Sequence, residues 1–287
     1  MRTIDKKTKY IYGAMSVIFF IYSLSLLYPF LYAFLSSVRD PWDFLNDRVA
    51  FPETFDLSNY VKAFTEFNVY GVNFIEMFIN SVLYTLFGTL MAITSSTLTS
   101  YVIAKYKFRI RGFLYGLAIF IMIVPIVGSQ AAEIKLAQEL HLYNSMIGMW
   151  IMRANFLGLY FLVFYAVFKS MPKGYYEASR IDGANDMQVM LKVALPLVKF
   201  TFFSIFLILF IEYWNDYLIP NLYLPNYKTL SLALFHQAQS QELENTKISR
   251  VPYVMASVLC VTVPVIIIFA IFSKRLMGNM SVGGLKG

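Results

Sequence analysis

The chain has 287 residues, of which 58% are hydrophobic, 18% aromatic and only 14% charged. A soluble domain carries roughly 45–50% apolar and about 25% charged residues, so the composition excludes a soluble globular enzyme, a disordered tail and a collagen-like fibre. The net charge of +7 does not point to nucleic acid, because the basic residues are scattered between apolar runs; the single Cys260 leaves no intramolecular disulfide and no Cys/His cluster for a metal.

A helix that crosses lipid takes about 20 mostly apolar residues, and only helices and closed barrels satisfy their backbone groups there. Six stretches are long and apolar enough: 11–37, 77–104, 112–132, 144–168, 200–220 and 251–273. No segment has the alternating pattern of a barrel strand. The first run follows Arg2, Lys6, Lys7 and Lys9, yet it is far longer than the roughly 7–15-residue apolar core of a signal peptide. The predicted fold class is therefore an all-α polytopic membrane protein, six transmembrane helices forming a single domain over 1–287. Pro125 predicts a kink in the third span, and Gly112 with Gly116 gives a weak helix-packing signal at its start.

The Lys and Arg content of the loops sets the direction. With the N-terminus inside, 16 of the 24 basic residues fall in inside segments and seven outside, which predicts both termini in the cytoplasm. The outside segments are then 39–76, 133–141 and 221–250, the last read as a long loop with turns at Asn221, Pro225 and Asn226. The inside segment 169–199 is too long for a bare connector. Ser170 is a candidate cap for a helix with Pro172 in its first turn and its end at Asp182. Gly183 supplies the left-handed residue after it. Asn185 or Asp186 can cap a second helix from Met187 to about Leu195, which Pro196 ends or bends. An amphipathic connector lying on the membrane surface has the same composition.

The order Glu177-Ala178-Ser179, three residues, Gly183, nine residues, Val193, one residue, Leu195-Pro196 resembles the "EAA" loop of ABC importer permeases, with Ser179 and Val193 as the two departures. Further pieces resemble the carbohydrate-uptake branch and its shorter, six-span permease: Asn59-Tyr60, Asn80-Ser81, the run Leu140 to Ser145, the run Glu212 to Tyr217, and the tail Ser281 to Gly287. The resemblance implies a type I importer fold in the bacterial plasma membrane. The 169–199 loop would couple to an ATPase subunit through Tyr176, Glu177, Ala178, Ser179, Asp182, Gly183, Ala184, Leu195 and Pro196, and the tail would touch the ATPases through Gly283, Gly284, Lys286 and Gly287. It implies as partners a second homologous permease, two ATPase subunits that carry ATP and Mg, an extracellular solute-binding protein and membrane lipid. That binding protein would meet the 221–250 segment, where Gln237, Gln239, Gln241 and Asn245 offer hydrogen-bonding groups. The chain itself would hold no cofactor. Its own sequence agrees, having no GxxxxGKS/T phosphate loop and no HExxH pair.

Charges inside apolar spans are costly and line cavities or pair. Arg153 lies within the fourth span, and Glu212, Trp214, Asn215 and Asp216 close the fifth. They are candidates for the solute path, or the acids are partners for Arg153. A snorkelling arginine and a polar helix end within an aromatic belt are the plainer readings. A secondary transporter or channel driven by an ion gradient, or an importer for a solute such as glycerol phosphate, are the alternatives.

Overall fold

The computed structural model describes residues 6–69, 71–124, 128–242 and 251–277, and they are mostly helical. Helix α1, Lys6–Ser37, is apolar on every side, and its residues from Tyr10 to Phe34 are largely exposed. A helix that is apolar all round and buried by nothing in its own chain has lipid as its solvent. Among the described residues, four helices are long and apolar enough to cross a membrane: Thr8–Ser37, Phe74–Lys105, Asp186–Asn215 and Val251–Phe272.

The described residues divide into two compact units, one reaching to Phe74 and taking in His236–Thr262, the other comprising Ile75–Phe235 with the residues from Val263 on. In the first, the chain turns sharply after α1. Asp40 caps the short helix α2, Pro41–Asn46, by accepting from the Trp42 amide, and Pro41 occupies the first turn, where a missing N–H costs nothing. Arg39 is fully buried and clamps this corner. Its guanidinium donates to both Asp43 carboxylate oxygens at 3.0 Å and to the Ala50 carbonyl at 3.0 Å. The hydrogen bond from Arg39 holds the Asp43 carboxyl below its ordinary range. Helix α3, Ser58–Thr65, is tied back through Asn59, whose amide donates to the Ser37 and Arg39 carbonyls at 3.0 and 2.9 Å. A two-residue hairpin follows, β1 Asn68–Val69 and β2 Val72–Asn73. Gly71 sits in its turn at φ +86°.

The second unit is organised around α4, Phe74–Lys105. Its core gathers Tyr84, Ile93 and Tyr101 from α4, Phe164 and Phe168 from α8 (Leu159–Ser170), and Val198, Ile205, Leu209 and Tyr213 from α11 (Leu195–Asn215). Helix α5, Arg111–Ile123, packs against α8, with Tyr115 and Tyr165 ring centroids 4.6 Å apart.

Two predicted spans are not continuous helices. The third, expected over 112–132, ends as α5 at Ile123 and resumes as α6, Gln130–Glu139; Gly128 between them has φ +83°, a conformation no right-handed helix accommodates. Pro125 lies outside the described residues. The fourth, expected over 144–168, is α7, Met146–Met152, then a non-helical stretch from Arg153 to Gly158, then α8. The stretch is stable because hydroxyls on α4 take the place of helix hydrogen bonds. Ser95 Oγ accepts from the Asn155 amide at 2.9 Å, Ser96 Oγ donates to the Asn155 carbonyl at 2.5 Å, and Thr99 Oγ1 donates to the Phe156 carbonyl at 2.8 Å.

The 221–250 segment is more helical than predicted. Asn221 is not a turn residue but part of α12, Leu218–Tyr223, and α13 covers Leu230–Glu242. Pro225 and Asn226 do form the turn between them, held by the Asn226 amide donating to Asn144 Oδ1 at 3.0 Å. Residues 243–250, with Asn245, lie outside the described residues. The last helix, α14, is Val251–Met277.

Replacing Ser96 by Ala and Thr99 by Val removes both donors to the break. Interhelical hydrogen bonds in a membrane bundle are worth about 0.6–2 kcal/mol each, so the double variant should lose about 1–4 kcal/mol and melt several degrees lower in detergent. An unchanged midpoint would show that the break does not depend on these hydroxyls.

Candidate functional site

The segment after α8 folds as a helix, a turn and a second helix. Helix α9 is Gly174–Ile181. It starts later than the sequence predicts: Ser170 donates to the Val167 carbonyl at 2.8 Å and so finishes α8 instead of capping α9. The other local signals act as expected. Gly183 has φ +78° with open space around it, and its amide donates to the Arg180 carbonyl at 3.0 Å. Asn185 caps α10, Asp186–Val189, in a reciprocal capping box with Gln188, both bonds 2.9 Å. Arg180 and Asp186 pair across the turn at 2.9 Å.

Pro196 was expected to end the second helix or bend it; it does not end it, since the chain runs helical from Asp186 to Asn215. The residues just before it, Met190–Ala194, form a π turn in which the Leu195 amide donates to the Met190 carbonyl five residues back. Proline lacks an amide hydrogen and crowds the preceding turn; the wider π turn takes up that misfit. Leu195 and Pro196 therefore open α11 and do not lie in a loop.

None of the α9 residues is buried. Tyr175, Glu177, Ala178, Arg180, Ile181, Asp182 and Gly183 are exposed, Ile181 at 85%. Ser179 and Ala184 are half-buried. Tyr176 alone turns inward to anchor the helix. The Lys105 ammonium lies 3.9 Å from its ring centroid, and its hydroxyl reaches Met171 Sδ at 3.1 Å. Burial pushes the Tyr176 hydroxyl up to about 12. The α9 helix thus stands on one aromatic foot and presents Glu177, Ala178 and Ile181, beside the exposed Met187 of α10, without a partner among the described residues.

The charges expected within or at the end of the fourth and fifth spans form a second constellation. Arg153, at the end of α7, pairs with Asp216, at the end of α11, and donates to the Tyr84 hydroxyl. Tyr84 donates in turn to Asp216 at 2.7 Å. The guanidinium also stacks on the Tyr213 ring, 4.0 Å from its centroid. The side chains of Arg153 and Asp216 are 16% and 15% exposed. Asp216 is thus the acid that meets Arg153; Glu212 and Asn215 are exposed, and Asn215 donates back to the Ile211 carbonyl at 2.8 Å. Trp214 is buried and stacks on Phe210, apart from the charges. A cavity of about 420 Å³ opens beside the pair, lined by Arg153, Asn155, Phe156 and Tyr213 among others. Tyr84 was missed in the sequence, where nothing separates it from the other 20 tyrosines, and Tyr213 entered only as part of the run Glu212 to Tyr217, not as a candidate of its own. The tail residues Gly283, Gly284, Lys286 and Gly287 lie outside the described residues.

Residues 88–280 match the family model described as "Binding-protein-dependent transport system inner membrane component". The chain is 26% identical over 278 residues to the arabinooligosaccharides transport system permease protein AraQ of Bacillus subtilis, covering 96% of this chain and 95% of that one. It is 23% identical over 271 residues to the diacetylchitobiose uptake system permease protein NgcG of Streptomyces coelicolor, covering 93% and 86%. It is 25% identical to the trehalose/maltose transport system permease protein MalG of Thermococcus litoralis, covering 91% and 92%. Among solved structures, the fold is similar to a chain of a bacterial ABC transporter involved in the import of the acidic polysaccharide alginate, with a TM-score of 0.79, 22% identity, and 96% and 99% of the two chains covered. The chain is a multi-pass membrane protein and a transport component, not an enzyme: it belongs to the family of inner-membrane components of binding-protein-dependent transport systems.

Proposed function

We propose that this chain is one membrane subunit of an ATP-driven importer that takes up a sugar or oligosaccharide. The α9 face carries this reading: a short exposed helix with EAA spacing, its Glu177–Ala178 edge without a partner among the described residues. The family model supports an importer, and the sugar is supported by relatives whose names all specify saccharides. In this reading one transmembrane domain spans the membrane six times, α5 and α8 completing the set begun by the four long helices. Both termini and α9–α10 face the cytoplasm.

Two ATPase subunits, a second homologous permease and an extracellular binding protein complete the assembly. Glu177 offers a charge to an ATPase subunit, and Ala178 and Ser179 allow its surface close approach. The tail with Gly283, Gly284, Lys286 and Gly287 reaches the ATPases, and the 221–250 segment meets the binding protein. ATP and Mg act on the ATPases, whose closure rocks the permeases between inward-open and outward-open states. Arg153, Glu212, Trp214, Asn215 and Asp216 border the solute path. An ion-driven secondary transporter needs no docking helix, and the family match does not favour it.

Purification of the tagged chain in mild detergent should bring down an ATPase subunit and a second permease; a chain that runs alone would overturn the importer reading. Glu177→Ala, or Gly183→Pro, which removes the Gly183 amide and forces φ negative, should leave the chain inserted but cut coupled uptake at least about tenfold, since one lost charged contact at an interface costs about 2 kcal/mol or more. Normal uptake in both variants would remove α9 from the coupling role. Screening the associated binding protein against oligosaccharides and glycerol phosphate decides the solute class.

The ion pair yields a separate prediction. Asp216→Asn leaves the Arg153 charge buried without compensation, which costs about 3–5 kcal/mol, whereas Arg153→Met combined with Asp216→Leu removes both charges. The single variant should melt well below the double. If the double variant assembles and hydrolyses ATP normally yet imports slowly, the pair serves the solute path; if it also imports normally, the pair is structural only.

A further inference from the structure

A second feature of the α9 region lies between this helix and the ends of α4, α5 and α8, and shares Tyr176 and Glu177 with the proposed docking face. Behind the helix lies a cavity of about 430 Å³, within the range of small-molecule sites. It is bounded by the end of α4, the 106–110 turn, the start of α5, the end of α8 and the inner side of α9. Six cations line it, Lys105, Lys107, Arg111, Lys169, Lys173 and Arg180, against two carboxylates, Glu177 and Asp186. Asp186 is already committed to Arg180 at 2.9 Å. Among the described residues none of the other five cations forms an ion pair. Lys105 rests on the Tyr176 ring, and Arg111 donates to the Tyr106 carbonyl at 3.4 Å, but neither contact supplies a negative charge.

Cations held this close together around one hollow raise the local potential and concentrate anions. Three observations narrow the anion. Lys105, Arg111 and Lys169 sit at the ends of the apolar helices α4, α5 and α8, with Lys107 in the turn between α4 and α5, the level at which phospholipid headgroups lie. Basic pockets between helix ends on the cytoplasmic side suit phosphate headgroups. The rest of the lining is apolar and aromatic, with Ala104, Met171, Val189 and Tyr101, and within one turn of Arg111 the chain exposes Ile110 at 56% and Phe113 at 69%, a flank on which acyl chains can lie.

We propose that this cavity binds the phosphate group of an anionic phospholipid, which bridges α4, α5 and α8 to α9 and braces the helix–turn–helix against the membrane. The inference rests on the proposed function only in placing the site on the cytoplasmic side; phosphate recognition needs only the helix-end geometry.

The test uses the whole importer complex, equilibrated with vesicles of equal parts phosphatidylcholine and phosphatidylglycerol and then examined by native mass spectrometry. The wild-type complex should retain phosphatidylglycerol in preference to phosphatidylcholine. The triple variant Lys107→Gln, Arg111→Gln, Lys169→Gln should lose that preference at least about tenfold, while Lys135→Gln, on α6 away from the cavity, should keep it. Inorganic phosphate offered without lipid distinguishes the source: competition by phosphate with retention of phosphatidylglycerol supports the site, and phosphate binding without lipid selectivity overturns the lipid assignment. Equal retention by the triple variant overturns the proposal. So does a triple variant that keeps its lipid and loses its ATPase subunit, since the cations would then face that protein. Failure of the ATPase to copurify with wild type would count against the importer reading and leave lipid retention measurable. If the triple variant does not assemble, Lys107→Gln and Lys169→Gln singly are each expected to lower retention, and unchanged retention in both overturns the site.

Discussion

Lipid offers no hydrogen bonds, and that constraint governs the place where the chain abandons helix inside an apolar run. Six residues from Arg153 to Gly158 break the path between α7 and α8. An unpaired amide or carbonyl at membrane depth costs several kcal/mol, so such a break persists only if a neighbour supplies partners. Helix α4 does so with a row of small hydroxyls: Ser95, Ser96 and Thr99 reach the backbone of Asn155 and Phe156. The same residues are small enough to let the two segments approach closely. The hydroxyl row on α4 and the break beside it are therefore one device.

The break also sets the position of the buried charge. Arg153 ends α7 and Asp216 ends α11, so the pair forms where two helices stop and their side chains can turn toward each other. A lone charge in this environment is strongly disfavoured, and Tyr84 and Tyr213 complete the enclosure, one by hydrogen bonds and the other by its ring face. Asp216 does further local work, since its second oxygen accepts from the Ile219 amide at 3.1 Å and starts α12. This leaves it poorly replaceable by a glutamate, whose carboxylate lies one methylene farther from the backbone.

What the sequence made legible was local. Gly183 at a positive φ, Asn185 as a cap and Pro225-Asn226 as a turn depend on single residues and their neighbours, and each acts as read. The apolar runs located the long helices for the same reason: length and composition are enough. The interruption of the fourth span was not legible. Residues 144–168 contain a single charge and no proline, and the stabilising partners are about 60 positions away in α4. Those hydroxyls read as ordinary small residues of an apolar helix until the facing backbone is known. The Arg153 partner was narrowed to the right helix end but not to the residue, because Glu212 and Asp216 differ by one helical turn, and only the stop of α11 at Asn215 turns Asp216 inward. Ser170 failed as a cap because Pro172 drew the expected helix start forward, whereas α8 runs on to use that serine at its own end.

The π turn before Pro196 gives these separate features a mechanical link. A proline at that position ordinarily kinks a helix or stops it, and either outcome would put a hinge between the α9–α10 pair and the membrane. With the five-residue π turn absorbing the misfit, helical structure continues from the Asn185 cap to Asn215, 30 residues. One end carries the capping box that fixes α9 against it through the Gly183 turn and the Arg180–Asp186 pair. The other end carries Asp216 and the buried arginine. One run of helical structure therefore joins the Gly183 turn to the Arg153–Asp216 pair.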